Sequence, residues 1–233
     1  MNSKIENRYF LLVNKKKFLF TAFDSVTGPI LTKEILITDY SINDIYYLLE
    51  NFLEKNIFGI EKDLKNFIKK IYIIFESDSF FVAESSIKHN FKKSNFNHTK
   101  IKDSLIDIRN QFNKYSPGYE TIHMIINRYV INGVVHEVLP EDIDSENLVI
   151  QVNFICLEDQ IVDSFKKIFS KYQISINKIF SYDYLINLNN YNGKNIVKVA
   201  NDNINGLNVN EVFIARKILK NNGFFEKFFN FFN

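Results

Sequence analysis

The residues able to do chemistry are few and scattered. The chain of 233 residues holds four histidines, His89, His98, His123 and His136, and one cysteine, Cys156. No HxxxH or HExxH spacing occurs, so no helix face offers a metal-binding pair. His123 and His136 fall on expected strands either side of a turn, where histidines more commonly pack or cap than bind a metal. Asp142, Asp144 and Glu146 in "EVLPEDIDSEN" imitate a calcium loop but lack its turn glycine and its well-spaced terminal glutamate, so the stretch reads as a solvated loop. Cys156 sits in the apolar run "NLVIQVNFICL" and reads as a core residue; a single cysteine excludes an internal disulfide framework and fits a reducing compartment. Seven glycines form neither GxGxxG nor GxxxxGK[ST], and Gly193 with Lys194 is a lone pair, so phosphates find no cradle of backbone amides. No catalytic residue, metal ligand or cofactor is expected.

Charge narrows the partners. Acidic and basic residues nearly cancel to +2, leaving no global field to hold a nucleic acid or select an acidic protein. The stretch "HNFKKSNFNHTK" could stack bases on Phe91 and Phe96 and meet phosphate with Lys92 and Lys93. A chain this rich in Lys and Phe supplies such a stretch by chance, so single-stranded nucleic acid stays a further alternative only. The start "MNSKIENRYF" has no apolar signal region, and nowhere do about 18 apolar residues run together, so a cytoplasmic protein is expected.

The last residues, "GFFEKFFNFFN", carry the strongest pattern. At helical steps Phe224, Phe225, Phe228, Phe229, Phe231 and Phe232 occupy an arc of about 160°, with Glu226, Lys227, Asn230 and Asn233 on the remainder. A short phenylalanine-rich helix is weak alone and folds against an apolar surface. That surface is a bilayer headgroup boundary, with Arg216, Lys217, Lys220 and Lys227 toward anionic lipid, or a groove on this protein or a partner. Membrane binding is the preferred reading for these ten residues.

The elements that must carry these residues alternate. "RYFLLVN" and "KFLFTAFD" read as a hairpin, "ILTKEILIT" as a third strand, and "SINDIYYLLENFLEKN" as a helix capped by Ser41. A second helical stretch near "EKDLKNFIKK", then the strands "IYIIF" and "FFVAESSIKH", complete a first block. A second block runs helix "IKDSLIDIRNQFNKY", strand "YETIHMIINRYVING", strands "VVHEVL" and "NLVIQVNFICL", helix "EDQIVDSFKKIFSKY" and strand "ISINKIFSY". The Asn-rich stretch from "NLNNYNGKN" to "NDNINGLNVN" lacks apolar periodicity and reads as a loose linker, followed by a helical "NEVFIARKILK".

This order of parts resembles the bacterial cell-division protein family FtsA, actin-like membrane tethers. The stretch "TIHMIINRYVING" is similar to the family's "LHxxPxxYxVDG": His123, Tyr129, Val130 and Gly133 match, Asn132 replaces the aspartate, and Asn127 lies near the missing proline. The resemblance implies an α/β (α+β) fold: a truncated actin-like (ribonuclease H-like) portion over 1–90, an inserted SHS2-type subdomain over 91–182, the linker over 183–210 and an amphipathic C-terminal helix over 211–233. It departs at the first hairpin, where "VNKKKF" stands in place of the phosphate-binding "DxGT", and the second large domain of an actin-like ATPase is missing. The resemblance therefore implies a non-catalytic adaptor that ties divisome proteins to the inner face of the plasma membrane, with self-association possible. An adaptor of pilus or secretion assembly, from the same actin-like family, is the alternative.

Overall fold

In the computed structural model the described residues are 7–37, 44–90, 98–140, 147–188, 193 and 195–212. The apolar runs near the start become β1 (Arg8–Val13), β2 (Lys17–Asp24) and β3 (Gly28–Leu36). β1 pairs antiparallel with β2 from Arg8↔Phe23 to Val13↔Phe18, and β2 continues antiparallel to β3. On its other side β1 runs parallel to β4 (Lys70–Phe75), which runs parallel to β9 (Ser175–Ser181). The sheet order is β3-β2-β1-β4-β9.

Both faces of this sheet are covered, which is why β1 reads as an unbroken apolar run. Tyr9, Leu11 and Val13 point to one core with the helices α1 (Asp44–Leu64) and α3 (Asp159–Ser170). Phe10 and Leu12 point to a second core with α4 (Tyr182–Ile186) and α5 (Ile196–Ile204). In the first core Phe165 of α3 sets its ring edge-on to Phe75 at 5.1 Å and to Tyr46 of α1 at 5.8 Å.

The second sheet is antiparallel throughout, in the order β5-β8-β6-β7. Its strands are β5 (Phe81–Asn90), β6 (Tyr119–Ile131), β7 (Val134–His136) and β8 (Asn147–Glu158), and α2 (His98–Tyr115) lies over one face. Leu148, Ile150, Val152, Phe154 and Cys156 alternate toward α2, where Phe112 stacks on Phe154 at 4.3 Å. Asn132 and Gly133, both at positive φ (49° and 86°), turn the chain from β6 to β7, the Asn-Gly pairing a tight hairpin needs. At its far end β8 changes allegiance: Ile155 and Leu157 enter the two cores of the first sheet.

The observed architecture is the expected mixed α/β one, with a second sheet inserted between β4 and β9 of the first. Several boundaries move. α1 runs unbroken to Leu64 and absorbs the start of the expected second helical stretch. It ends where Lys65 adopts φ 51° and the Asn66 N–H reaches the Glu61 carbonyl. The unit expected over 91–182 divides, because β9 completes the first sheet and α3 packs on it.

The loose linker expected over 183–210 is corrected. It contains most of α4 and all of α5, with Val197, Val199 and Ala200 buried and Asn195 capping the Val197 amide. Asparagines hid the pattern because two of them belong to the buried face. Asn201 and Asn205 accept from the Arg8 guanidinium at 2.8 and 2.9 Å, while Asn203 donates to a buried tyrosine. The helix expected from residue 210 begins differently as well: Glu211 bridges antiparallel to Ile125 of β6. Ser41 and Phe224, Phe225, Phe228, Phe229, Phe231, Phe232, Arg216, Lys217, Lys220 and Lys227 lie outside the described residues. No described helix is long and apolar enough to cross a membrane.

Candidate functional site

The β1–β2 turn, where an actin-like fold would hold phosphate, is closed by its own side chain. The Asn14 carbonyl oxygen accepts from the amides of Lys16 and Lys17 at 2.9 and 2.8 Å, and the Asn14 amide donates to the Lys17 carbonyl. Asn14 is buried although it sits in a turn. The amides that could face an anion are therefore spent locally. Lys15 points outward and pairs with Asp78 at 2.7 Å, an exposed contact of little energetic weight.

His123 joins a polar constellation, and the constellation is interior. Its Nδ1 lies 2.7 Å from Glu211, and its Nε2 accepts from the Ser181 amide at 3.1 Å. An N–H donor on Nε2 leaves that nitrogen unprotonated, so the ring carries its proton on Nδ1 and donates it to Glu211. Glu211 also accepts from Lys178 Nζ at 2.6 Å and from the Tyr184 hydroxyl at 2.8 Å. Tyr184 in turn accepts from Asn203 at 3.1 Å and Asn208 at 2.9 Å.

Burial pushes His123 down to about 4, so it is neutral at pH 7. Burial alone would raise Glu211, but donation from His123 and the charge of Lys178 outweigh it and hold the carboxyl down at about 2. Burial, then the Glu211 charge, moves the Tyr184 hydroxyl upward. The cluster thus contains one anion and one cation. Both imidazole nitrogens and both Glu211 oxygens are engaged, so none is presented to an outside molecule. It is a clamp joining β6, β9, α4, α5 and the segment after α5.

The other sequence candidates stay apart. His136 pairs in register with Tyr129, well along β6 from His123, so the two histidines do not form a pair. Burial pushes the Cys156 thiol up to about 11 and keeps it unreactive. Residues 141–146 of the acidic stretch and 91–97 of the basic aromatic stretch lie outside the described residues. Sequence reasoning singled out His123 for its strand and its motif, but missed Lys178, Tyr184 and Glu211. Nothing in their spacing ties them together; the one available signal was a lone Glu within an apolar and Asn-rich stretch.

Recesses among the described residues include two open ones. A cleft of about 160 Å³ separates β6 from β9 and α3, with Glu120 and Lys166 bonded across its mouth at 3.0 Å. A groove of about 230 Å³ lies between β3 and α1, floored by Phe18 and Phe52 and walled by Ile35, Leu36 and Leu48. β3 ends the sheet, so one side of its backbone has no strand partner among the described residues. Leu36 is 70% exposed beside the groove, and Ile30 and Ile35 are exposed on the same strand. An apolar recess along an unpaired strand edge suits an extended or helical segment of another protein.

No protein-family model and no curated protein matches the chain by sequence. By structure it is similar to a chain of the PilM–PilN type IV pilus biogenesis complex, at 9% identity and TM-score 0.46, over 76% of this chain and 48% of that one. It is also similar to the cytoplasmic domain of EpsL, an inner membrane component of the type II secretion system of Vibrio cholerae. That match has 4% identity and TM-score 0.35, over 77% of this chain and 58% of that one. The chain thus spans about half the length of these neighbours. Neither is an FtsA structure.

Proposed function

We propose that this protein is a non-catalytic adaptor built on a truncated actin-like fold, which holds a protein partner at a membrane-associated assembly. The observation that carries the reading is the β1–β2 turn: Asn14 occupies the turn amides from within, so the fold is retained without its phosphate-binding device. The groove between β3 and α1 is the docking face, where a partner segment covers Leu36 and pairs with the open edge of β3. The C-terminal phenylalanines, with Arg216, Lys217, Lys220 and Lys227, supply the membrane contact, weak for one copy and firm for several. We place the adaptor in a pilus- or secretion-type assembly, the setting named for the two structural neighbours, in preference to the divisome.

The test is flotation of the full chain with vesicles of anionic phosphatidylglycerol, beside a chain carrying Phe224→Ser, Phe228→Ser and Phe232→Ser. The wild type is expected to rise with the vesicles and the variant to stay below; equal partitioning removes the tether. Co-purification from the native cell with wild type and Leu36→Asp is expected to bring down pilus or secretion components with the wild type only. Divisome proteins in their place would return the reading to cell division, and ATP retained by the purified chain would overturn the non-catalytic assignment.

A further inference from the structure

Charge is sorted around the groove between β3 and α1. Leu31, Lys33 and Ile35 of β3 stand opposite Ala22, Phe20 and Phe18 of β2. Directly opposed residues of an antiparallel pair share a face, and those three β2 side chains belong to the core under α1, so Leu31, Lys33 and Ile35 lie on the α1 side. Glu34 lies on the reverse, where it pairs with Lys17 at 3.3 Å. Its charge is answered within the sheet. On α1, Glu50 pairs with Lys171 of α3, and Glu54 and Glu61 follow it at helical steps, on the flank turned from β3. The other flank brings Leu48, Asn51 and Lys55 into the groove, with Lys62 two turns beyond Lys55; Asp44, a turn before Leu48, lies outside the lined stretch. The groove is thus apolar at its floor and carries a lysine on each wall, Lys55 from α1 and the exposed Lys33 from β3.

A strand added to the edge of β3 would meet Leu31, Lys33 and Ile35 in turn on that face, and opposed apolar pairs and opposite charges are what stabilise such a pairing. We infer that the groove takes an extended segment of a partner protein in which an Asp or Glu stands between two aliphatic residues at alternate positions, the acid opposite Lys33 and the aliphatics opposite Leu31 and Ile35. The inference deepens the docking reading and rests on it. The pattern is symmetrical about the acid. A second copy of β3 does not supply it: a two-fold pairing of a strand with itself keeps like faces together, so Lys33 would oppose Leu31, Lys33 or Ile35 of the copy and never an acid. A bilayer fits less well, because the apolar surface is recessed and headgroups offer no strand to pair with the open backbone edge.

Fluorescence anisotropy with the full chain tests this, using two labelled, capped peptides: Thr-Val-Thr-Glu-Thr-Val-Thr and the same sequence with Lys in place of Glu. The Glu peptide is expected to bind about fivefold tighter at low ionic strength, and the gap to shrink in about 1 M salt. Lys33→Glu, at an exposed position, is expected to reverse the order; should that chain fail to fold, Lys33→Gln serves and is expected to level the two. Equal binding of the two peptides by the wild type overturns the inference, as does binding of neither. A preference that survives at Lys33→Glu overturns it too, and if that variant also loses flotation the groove is a lipid surface. Binding that emerges only in the Phe224→Ser, Phe228→Ser and Phe232→Ser chain makes this chain's own tail the occupant and overturns it as well. The docking reading falls separately, when Leu36→Asp co-purifies with the same partners as the wild type.

Discussion

The β1–β2 turn and the clamp between the sheets are both polar islands in an apolar body, and they are built in opposite ways. At the turn Asn14 satisfies amides two and three residues away, so the device is complete within a few residues. At the clamp Glu211 accepts from groups 88, 33 and 27 residues away, drawn from two sheets and a helix. A local device costs little to lose, because the chain around it stays in place. A long-range one holds separate elements in register, and removing its centre strands several buried partners at once.

The largest break in that comparison is Glu211→Ala. It removes the acceptor that the Lys178 ammonium, the His123 N–H and the Tyr184 hydroxyl share. Breaking a buried ion pair by removing one partner costs about 3–5 kcal/mol, enough to threaten the fold of a domain of ordinary stability. Urea unfolding at pH 7 measures it. A change below about 1 kcal/mol would mean the cluster is wetter and looser than its geometry. Replacing Glu211 and Lys178 together by Leu and Met should cost less than Glu211→Ala, since both charges of the pair then leave the interior together.

Acid sharpens the same contrast with a somewhat smaller effect. His123 stays neutral in the folded protein down to about 4, whereas an unfolded histidine takes its proton near 6.5. Between those values the unfolded chain binds more protons, so stability falls as pH drops through that window. Glu211 extends the loss from about 4.5 toward about 2. The histidine alone is worth about 3 kcal/mol between pH 7 and pH 4. Unfolding free energies of wild type and His123→Gln across this range are expected to diverge at high pH and converge toward pH 4. Parallel curves would show that His123 is not the titrating group.

The same distinction explains what the sequence disclosed. β1, β2, α1, α3 and the Asn132–Gly133 turn declare themselves through period, cap and turn chemistry, all written within one element. The exchange of β9 and α3 to the first sheet depends on pairing across about a hundred residues, from Lys70↔Ser175 to Phe75↔Ser181, which no local pattern records. α5 was concealed because its inner face includes Asn201 and Asn203, residues that propensity assigns to loops and that tertiary hydrogen bonds make tolerable inside. The candidate docking groove was equally silent: β3 was legible as a strand, but its place at the sheet edge was not.

The smallest expected effect lies at the turn, and it tests whether that device is as local as it looks. Asn14→Ala removes the acceptor for the Lys16 and Lys17 amides, which face outward enough for water to replace part of the loss. The cost should be about 1 kcal/mol, in the range of a lost helix cap. Asn14→Asp keeps an oxygen in the same place, beside Lys15, Lys16 and Lys17, and should recover most of the stability. Neither variant should alter exchange at His123 or in β6, since the turn shares no partner with the clamp. If Asn14→Ala instead loosened β6 as well as β1, the two islands would be coupled through β4 and β9, and the turn would be part of the frame that positions the second sheet.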